Sequence, residues 1–303
     1  MKTSPFAARF VGAVTLIMTL AIPAWAYEIE RFHEPGPGSV NTWILEGEDG
    51  VVLIDGQRTI QAGQDVAERI EATGKPLLAI LITHPHPDHV GGIPSILQAF
   101  PDTPVVALQA TADEMQSDSL GMFAFARRVN GDAYPTQLAA VTRVVVDREV
   151  LRFGDIALTV DDIGAGESIA MTIFYDQQNG AVFVGDLTDN DKKGFLLEQR
   201  TTQWLRQLDY VTQKYGRDQT IAYPGHGAQA PLSKLAEEQA VWITDMHGLV
   251  RVRIEDGVFT DEEATEVAEE FELLHPGQEP VAPIPDFMRL NAQAIAEELL
   301  RER

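Results

Sequence analysis

The stretch Ile82-Thr83-His84-Pro85-His86-Pro87-Asp88-His89-Val90-Gly91-Gly92 decides how this chain is read. Three of the chain's seven histidines fall within six residues, with an aspartate between the last two. The apolar run Leu77-Leu78-Ala79-Ile80-Leu81-Ile82 leads into it and predicts a buried strand. Beyond Gly91-Gly92, the apolar positions Ile93, Ile96, Leu97 and Phe100 predict a helix. The histidines are therefore expected at the C-terminal end of a strand, where open α/β sheets hold their ligands. A residue before proline is pushed out of the helical region, so His84 and His86 are biased to extended backbone. Extended residues two apart point to the same side. Both imidazoles can then converge on one cation, while Asp88 and His89 reach a second position at the helix start.

The rest of the composition sets bounds. A hydrophobic fraction of 45% over 303 residues suits a soluble globular protein with a sizeable core, as one large domain or two. Residues 1–26 have a basic start (Lys2, Arg9), an apolar core from Phe10 to Ile22, and small residues in Ala24-Trp25-Ala26. That pattern predicts a signal peptide cut after Ala26, with an apolar core too short for a membrane span. The protein is thus expected to be periplasmic or secreted, without stable membrane association after cleavage. Protein recovered from a periplasmic fraction is expected to begin at Tyr27 by N-terminal sequencing; an intact Met1 would remove the compartment argument.

The chain has no cysteine, so export brings no disulfide, thiolate metal site or cysteine nucleophile. Any metal must be held by His, Asp and Glu. Loss of Lys2 and Arg9 with the signal takes the formal charge from −23 to −25. Such a surface repels nucleic acid and anionic lipid and disfavours polyanionic substrates. Adaptation to salt, or solubility alone, is the other reading of that charge.

Val40–Gly47 and Val51–Asp55 flank Glu48-Asp49-Gly50, a hairpin signal. Arg58–Thr73 has helical spacing, closed by Gly74. A strand over 105–108, helix over 110–130, and strands over 142–146, 150–153 and 156–160 follow. Residues 169–175 and 181–184 pair around Asn179-Gly180; a helix over 202–215 and a strand over 220–223 come next. After Pro231 the chain reads as helices at 232–253, 260–273 and 286–302, with the Pro-rich piece 276–285 as a stiff connector. The predicted organisation is a signal over 1–26, a catalytic domain over 27–231, and a helical extension of that domain over 232–303. This tail completes the fold, walls a substrate pocket or carries an oligomer contact; the sequence leaves its role and the oligomeric state open.

Gly185-Asp186 and Pro224-Gly225-His226-Gly227 each follow an apolar strand and repeat the geometry of the first site. With Asn41-Thr42-Trp43, Leu53-Ile54-Asp55 and His84-Pro85-His86-Pro87-Asp88-His89, they make the chain resemble the metallo-β-lactamase superfamily over nearly all of its mature length. The resemblance implies an α/β fold, a four-layer αββα sandwich with a two-metal site at one edge. It also implies that His84 and His86 bind metal 1, that Asp88, His89 and His226 bind metal 2, and that Asp186 bridges.

One departure stands out. The family supplies a third histidine to metal 1 from a turn before the bridging aspartate's strand, yet no histidine lies between His89 and His226. The corresponding place reads Gly164-Ala165-Gly166-Glu167-Ser168, and Glu167 is the natural stand-in, since a carboxylate binds zinc at similar distance. Otherwise Glu167 faces solvent and metal 1 is bound weakly or not at all. Two divalent cations set against Asp88, Glu167, Asp186 and a bridging hydroxide leave a formally neutral site, one charge lower than with histidine. Such a site acidifies its water less and favours harder metals such as manganese.

The expected function is a binuclear metal-dependent hydrolase in which a metal-bound hydroxide attacks a carbonyl of a small ester, lactone or amide. Zinc is the favoured cofactor, with manganese or iron as alternatives, and Asp88 orients the nucleophile or takes its proton. The partner is a small-molecule substrate, lactone or β-lactam favoured. A mononuclear iron oxygenase, with His84, His86 and Glu167 or Asp186 as ligands, is one alternative; a silent binding protein is another. His33, His247 and His275 stand alone and read as ordinary surface or core residues.

Overall fold

The structure is a computed structural model and describes residues 27–217 and 219–303. The signal segment read at 1–26 lies outside the described residues. β1 (Glu28–His33), β2 (Asn41–Glu46), β3 (Val51–Ile54), β4 (Leu77–Leu81), β5 (Val105–Leu108) and β6 (Arg143–Val145) form one sheet in sequence order. Its first two pairings are antiparallel and the other three parallel. β7 (Val150–Phe153), β8 (Ile156–Gly164), β9 (Met171–Asp176) and β10 (Ala181–Gly185) follow, then the short β11 (Lys192–Lys193), β12 (Ile221–Pro224) and β13 (Ala230–Pro231). β11 leaves to pair with β14 (Glu279–Pro280). The other six make a second sheet in the order β13-β12-β10-β9-β8-β7, with β10 and β12 parallel.

Three hydrophobic cores separate four layers. Side chains alternate along a strand, so Val51 and Leu53 face helices while Val52 and Ile54 face the other sheet. The inter-sheet core joins Trp43, Leu81 and Val106 to Leu158, Phe174 and Phe183. Outside the first sheet lie α1 (Ile60–Glu71), α2 (Pro87–Val90), α3 (Ile93–Ala99), α4 (Gln109–Ser117) and α5 (Met122–Asn130). Outside the second lie α6 (Thr201–Tyr215), α7 (Leu232–Arg251), α8 (Asp261–Leu274) and α9 (Phe287–Arg301). The helices beyond 231 share one core with the second sheet, in which Trp242, Phe271 and Ile295 meet Ile173 and Val182. This is the αββα sandwich expected from the sequence. No helix among the described residues is long and apolar enough to cross a membrane.

Two local readings need correction. The helix expected over 110–130 is two helices, α4 and α5, broken where Asp118 and Gly121 take left-handed backbone, at φ 46° and 70°. The Pro-rich connector 276–285 is a docked strap. Glu279 and Pro280 pair in parallel with Lys192 and Lys193, Gly38 donates to the Pro280 carbonyl, and the Arg58 guanidinium donates to the Val281 carbonyl at 3.1 Å.

Candidate metal centre

The C-terminal ends of β4, β10 and β12 meet at one edge of the sandwich, and all seven residues read as ligands meet there. His84, His86, Glu167 and Asp186 form one group of ligand atoms lying within 4.8 Å of one another; Asp88, His89 and His226 form a second. His84 follows β4, and its neighbour Thr83 accepts a backbone bond from Thr172 of the opposite sheet at 2.8 Å. Pro87 opens α2 with His86 in extended backbone at its N-cap, as the proline pattern predicts. Asp186 and His226 follow the parallel neighbours β10 and β12. Gly225 must be glycine, because a Cβ there would lie 1.9 Å from Asp186 Oδ1. Glu167 lies on the turn between β8 and β9, where the Gln207 amide of α6 donates to the carbonyls of Ile163, Gly164 and Ala165 at 2.7, 3.1 and 3.0 Å.

Each histidine has one ring nitrogen fixed from outside and the other aimed inward. His89 Nδ1 donates to Asp55 Oδ2 at 2.8 Å. The Thr83 hydroxyl also donates to Asp55 Oδ2, at 2.8 Å, and accepts from His84 Nδ1 at 2.9 Å. His226 Nδ1 donates to the Ser39 carbonyl, and His86 Nε2 to Glu198 Oε1 at 2.9 Å. The inward atoms are thus Nε2 of His84, His89 and His226, and Nδ1 of His86. Such outer partners fix the tautomer and orientation of metal-binding imidazoles.

The inward atoms fit cations. Nε2 of His84, His89 and His226, both Glu167 oxygens and Asp186 Oδ1 are buried without a hydrogen-bond partner. Buried polar groups are nearly always satisfied, so a cluster of orphans of this composition calls for a positive ion. Tetrahedral ligands around zinc lie about 3.3 Å apart. Here His86 Nδ1–Glu167 Oε1 is 3.4 Å, His89 Nε2–Asp186 Oδ1 is 3.3 Å, and His226 Nε2 lies 3.2 Å from Asp186 Oδ2 and 3.3 Å from Asp88 Oδ2. His84 Nε2 is 3.7 Å from Asp186 Oδ2 and 3.8 Å from Glu167 Oε2.

The electrostatics agree. Burial, reinforced by Asp186, pushes the Glu167 carboxyl well above the usual range. Burial also opposes ionisation of Asp186, but His226, His89 and His84 hold its carboxyl well below that range. Against burial, the neighbouring aspartates hold His89 well up and His226 up to about 10. Cations on the inward atoms would stabilise the Glu167 carboxylate and displace protons from His89 and His226.

Sequence reading missed Glu198, Arg58 and Gln207, and quoted Asp55 without giving it a role. Asp55 joins the supports of His84 and His89 and also accepts from the Thr83 backbone N–H at 2.8 Å. Asp55→Ala is expected to weaken metal binding by about 10- to 100-fold, read by competition with a chromophoric chelator. An unchanged affinity would deny Asp55 that part. His33, His247 and His275 belong to neither ligand group.

Comparison with known proteins follows the same lines. Residues 35–246 match the family model described as the metallo-beta-lactamase superfamily. A hydroxyacylglutathione hydrolase of Synechococcus sp. (strain CC9902) is 29% identical over 221 residues, 69% of this chain and 76% of the relative. Others are matched over less: the chain spans about a third of an uncharacterised Bacillus subtilis protein and just over half of a Photorhabdus laumondii hydroxyacylglutathione hydrolase. Among solved structures, a metallo-beta-lactamase family protein from Thermus thermophilus superposes with a TM-score of 0.65 at 20% identity, covering 91% of this chain and 93% of that one.

Proposed function

The chain belongs to the metallo-beta-lactamase superfamily, and on that premise we propose that it is an exported binuclear metallo-hydrolase of a small neutral ester, lactone or amide. Lactones and β-lactams are the favoured members. The observation that carries the reading is the pair of ligand groups joined at Asp186, whose two oxygens face His89 on one side and His84 and His226 on the other. Two divalent ions, zinc first among them and manganese or iron as alternatives, supply Lewis acidity toward a carbonyl oxygen and make water nucleophilic near neutral pH.

The chain's own residues supply the rest. His84, His86 and Glu167 hold one ion, Asp88, His89 and His226 the other, and Asp186 is shared. Burial of Asp88 opposes its charge, but Arg58, at 3.1 Å from Oδ2, and then His89 hold its carboxyl well below the usual range. It therefore stays ionised, and its oxygens can orient a water or accept its proton. The formal charge of −23 disfavours polyanionic substrates. Hydroxyacylglutathione hydrolases among the relatives support hydrolysis.

The test is turnover by the metal-loaded protein across β-lactam, lactone, ester, thioester, sulfate and phosphodiester substrates, each with a chelator control. Chelator-sensitive cleavage of a neutral carbonyl compound is expected. A protein with two ions bound that cleaves none of these sinks the reading.

A further inference from the structure

The cleft above the ligand atoms has walls that metal binding does not explain. It encloses about 680 Å³, within the roughly 300–1,000 Å³ span of small-molecule sites. His86, Asp88, Asp186 and His226 form its floor. One wall is α5 with the turn before it. Phe123 and Ala126 of α5 bury themselves in the core of the first sheet. On the other side Leu120, Phe125 and Val129 remain 42%, 37% and 50% exposed, and all three line the cleft. Met122, Phe125 and Val129 are spaced three and four apart and so form one stripe. The facing wall is Phe195, Leu197 and strap residues Val281 to Ile284. Phe195 meets the His86 ring edge-on at 5.2 Å, so the hydrocarbon of this facing wall reaches a candidate ligand.

The charged groups of this cleft other than Arg128, which stands exposed on the α5 wall, are already engaged near the floor. Arg58 bonds Asp88 and the Val281 carbonyl. Arg200 pairs with Glu198, which holds His86. Arg128 lies over the Phe125 ring at 5.1 Å. A molecule whose reactive carbonyl reached the floor would lay the rest of its length against apolar side chains, and their burial would favour it.

We propose that the cleft between the α5 stripe and the strap is a subsite for an extended apolar group. The substrate class is then a neutral ester, lactone or amide carrying a linear alkyl or arylalkyl acyl chain. The carbonyl end of this assignment rests on the hydrolase reading; the wall end is measured without turnover. The metal-loaded protein is titrated with the neutral fluorophore N-phenyl-1-naphthylamine, and unbranched amides from butanamide to decanamide compete for it.

Affinity is expected to rise by about fourfold per methylene. Phe125→Asp and Val129→Asp are expected to flatten the series at unchanged metal content, and Phe125→Leu to keep it. A flat series in the unaltered protein, or aspartate variants as steep as it, overturns the proposal. So does a dimer, seen by sedimentation and dissolved by Phe125→Asp, which would assign the stripe to a second copy. The matching ester series separates the two readings. Cleavage indifferent to chain length overturns the subsite and leaves the hydrolase. Graded amide binding with no cleavage of the esters or of any substrate class in the turnover screen supports the apolar subsite and removes the hydrolase.

Discussion

Asp186→Ala is expected to leave the protein unable to hold two metal ions, whereas His86→Ala is expected to cost only one. Among the described residues, Asp186 is the one carboxylate in contact with histidines of both ligand groups, at 3.3 Å from His89, 3.7 Å from His84 and 3.2 Å from His226. Without it each ion loses a ligand, and the anion between two like charges is gone. His86 meets Glu167 of the first group only, so the trio Asp88, His89 and His226 survives its removal. Turnover should fall at least about a hundredfold in both variants, since even outer partners of metal ligands are worth about 10- to 100-fold. The fold should persist, because Asp186 lies beyond the last residue of β10. His86→Ala takes a donor from the buried Glu198 carboxylate, at a stability cost of about 1–3 kcal/mol. Elemental analysis after dialysis should give about one ion per chain for His86→Ala and fewer for Asp186→Ala, with thermal melts in chelator reporting the fold. Two ions and normal turnover in Asp186→Ala would overturn the assignment.

The parts of this site that could be read in advance are those written in short-range pattern. Leu77–Ile82 names its own strand by apolar continuity, and Pro87 sets the extended backbone of His86. Asp186 and His226 each follow an apolar strand, but they were legible as ligands only through the resemblance that the motifs bear together to the metallo-beta-lactamase superfamily. Glu198 was not, since it lies 112 residues from His86 and no local signal marks Leu196-Leu197-Glu198-Gln199 as facing a metal site. Nor was Gln207, whose helical position looks like any polar one until β8 and the turn after it place three carbonyls against it. The strap went unread because β11 and β14 are two residues each, too short to leave a period, and proline pointed to a spacer. The break between α4 and α5 rests on left-handed backbone at Asp118, which aspartate adopts more readily than most residues but does not announce.

Replacing Glu167 tests the residue that the sequence puts forward as the stand-in for a third metal-1 histidine. Glu167 is 2% exposed, and both of its oxygens lack hydrogen-bond partners. That removes the solvent-facing alternative and leaves a buried carboxylate whose position makes sense beside a cation. Because Gln207 pins the turn through three carbonyls, substitution at 167 should leave the backbone in place. Glu167→Gln keeps the shape and removes the charge, so it should weaken metal 1 and spare metal 2. Glu167→His adds a third nitrogen to His84 and His86 and should give a working, tighter zinc site. It also raises the formal charge of the loaded site by one, which favours ionised over neutral water. The alkaline rise of the rate profile should therefore move to lower pH in Glu167→His relative to the unaltered protein. Metal stoichiometry and rate against pH for the three proteins decide the matter. Full metal content and an unmoved profile in Glu167→Gln would show that Glu167 holds no ion and that metal 1 rests on His84, His86 and Asp186.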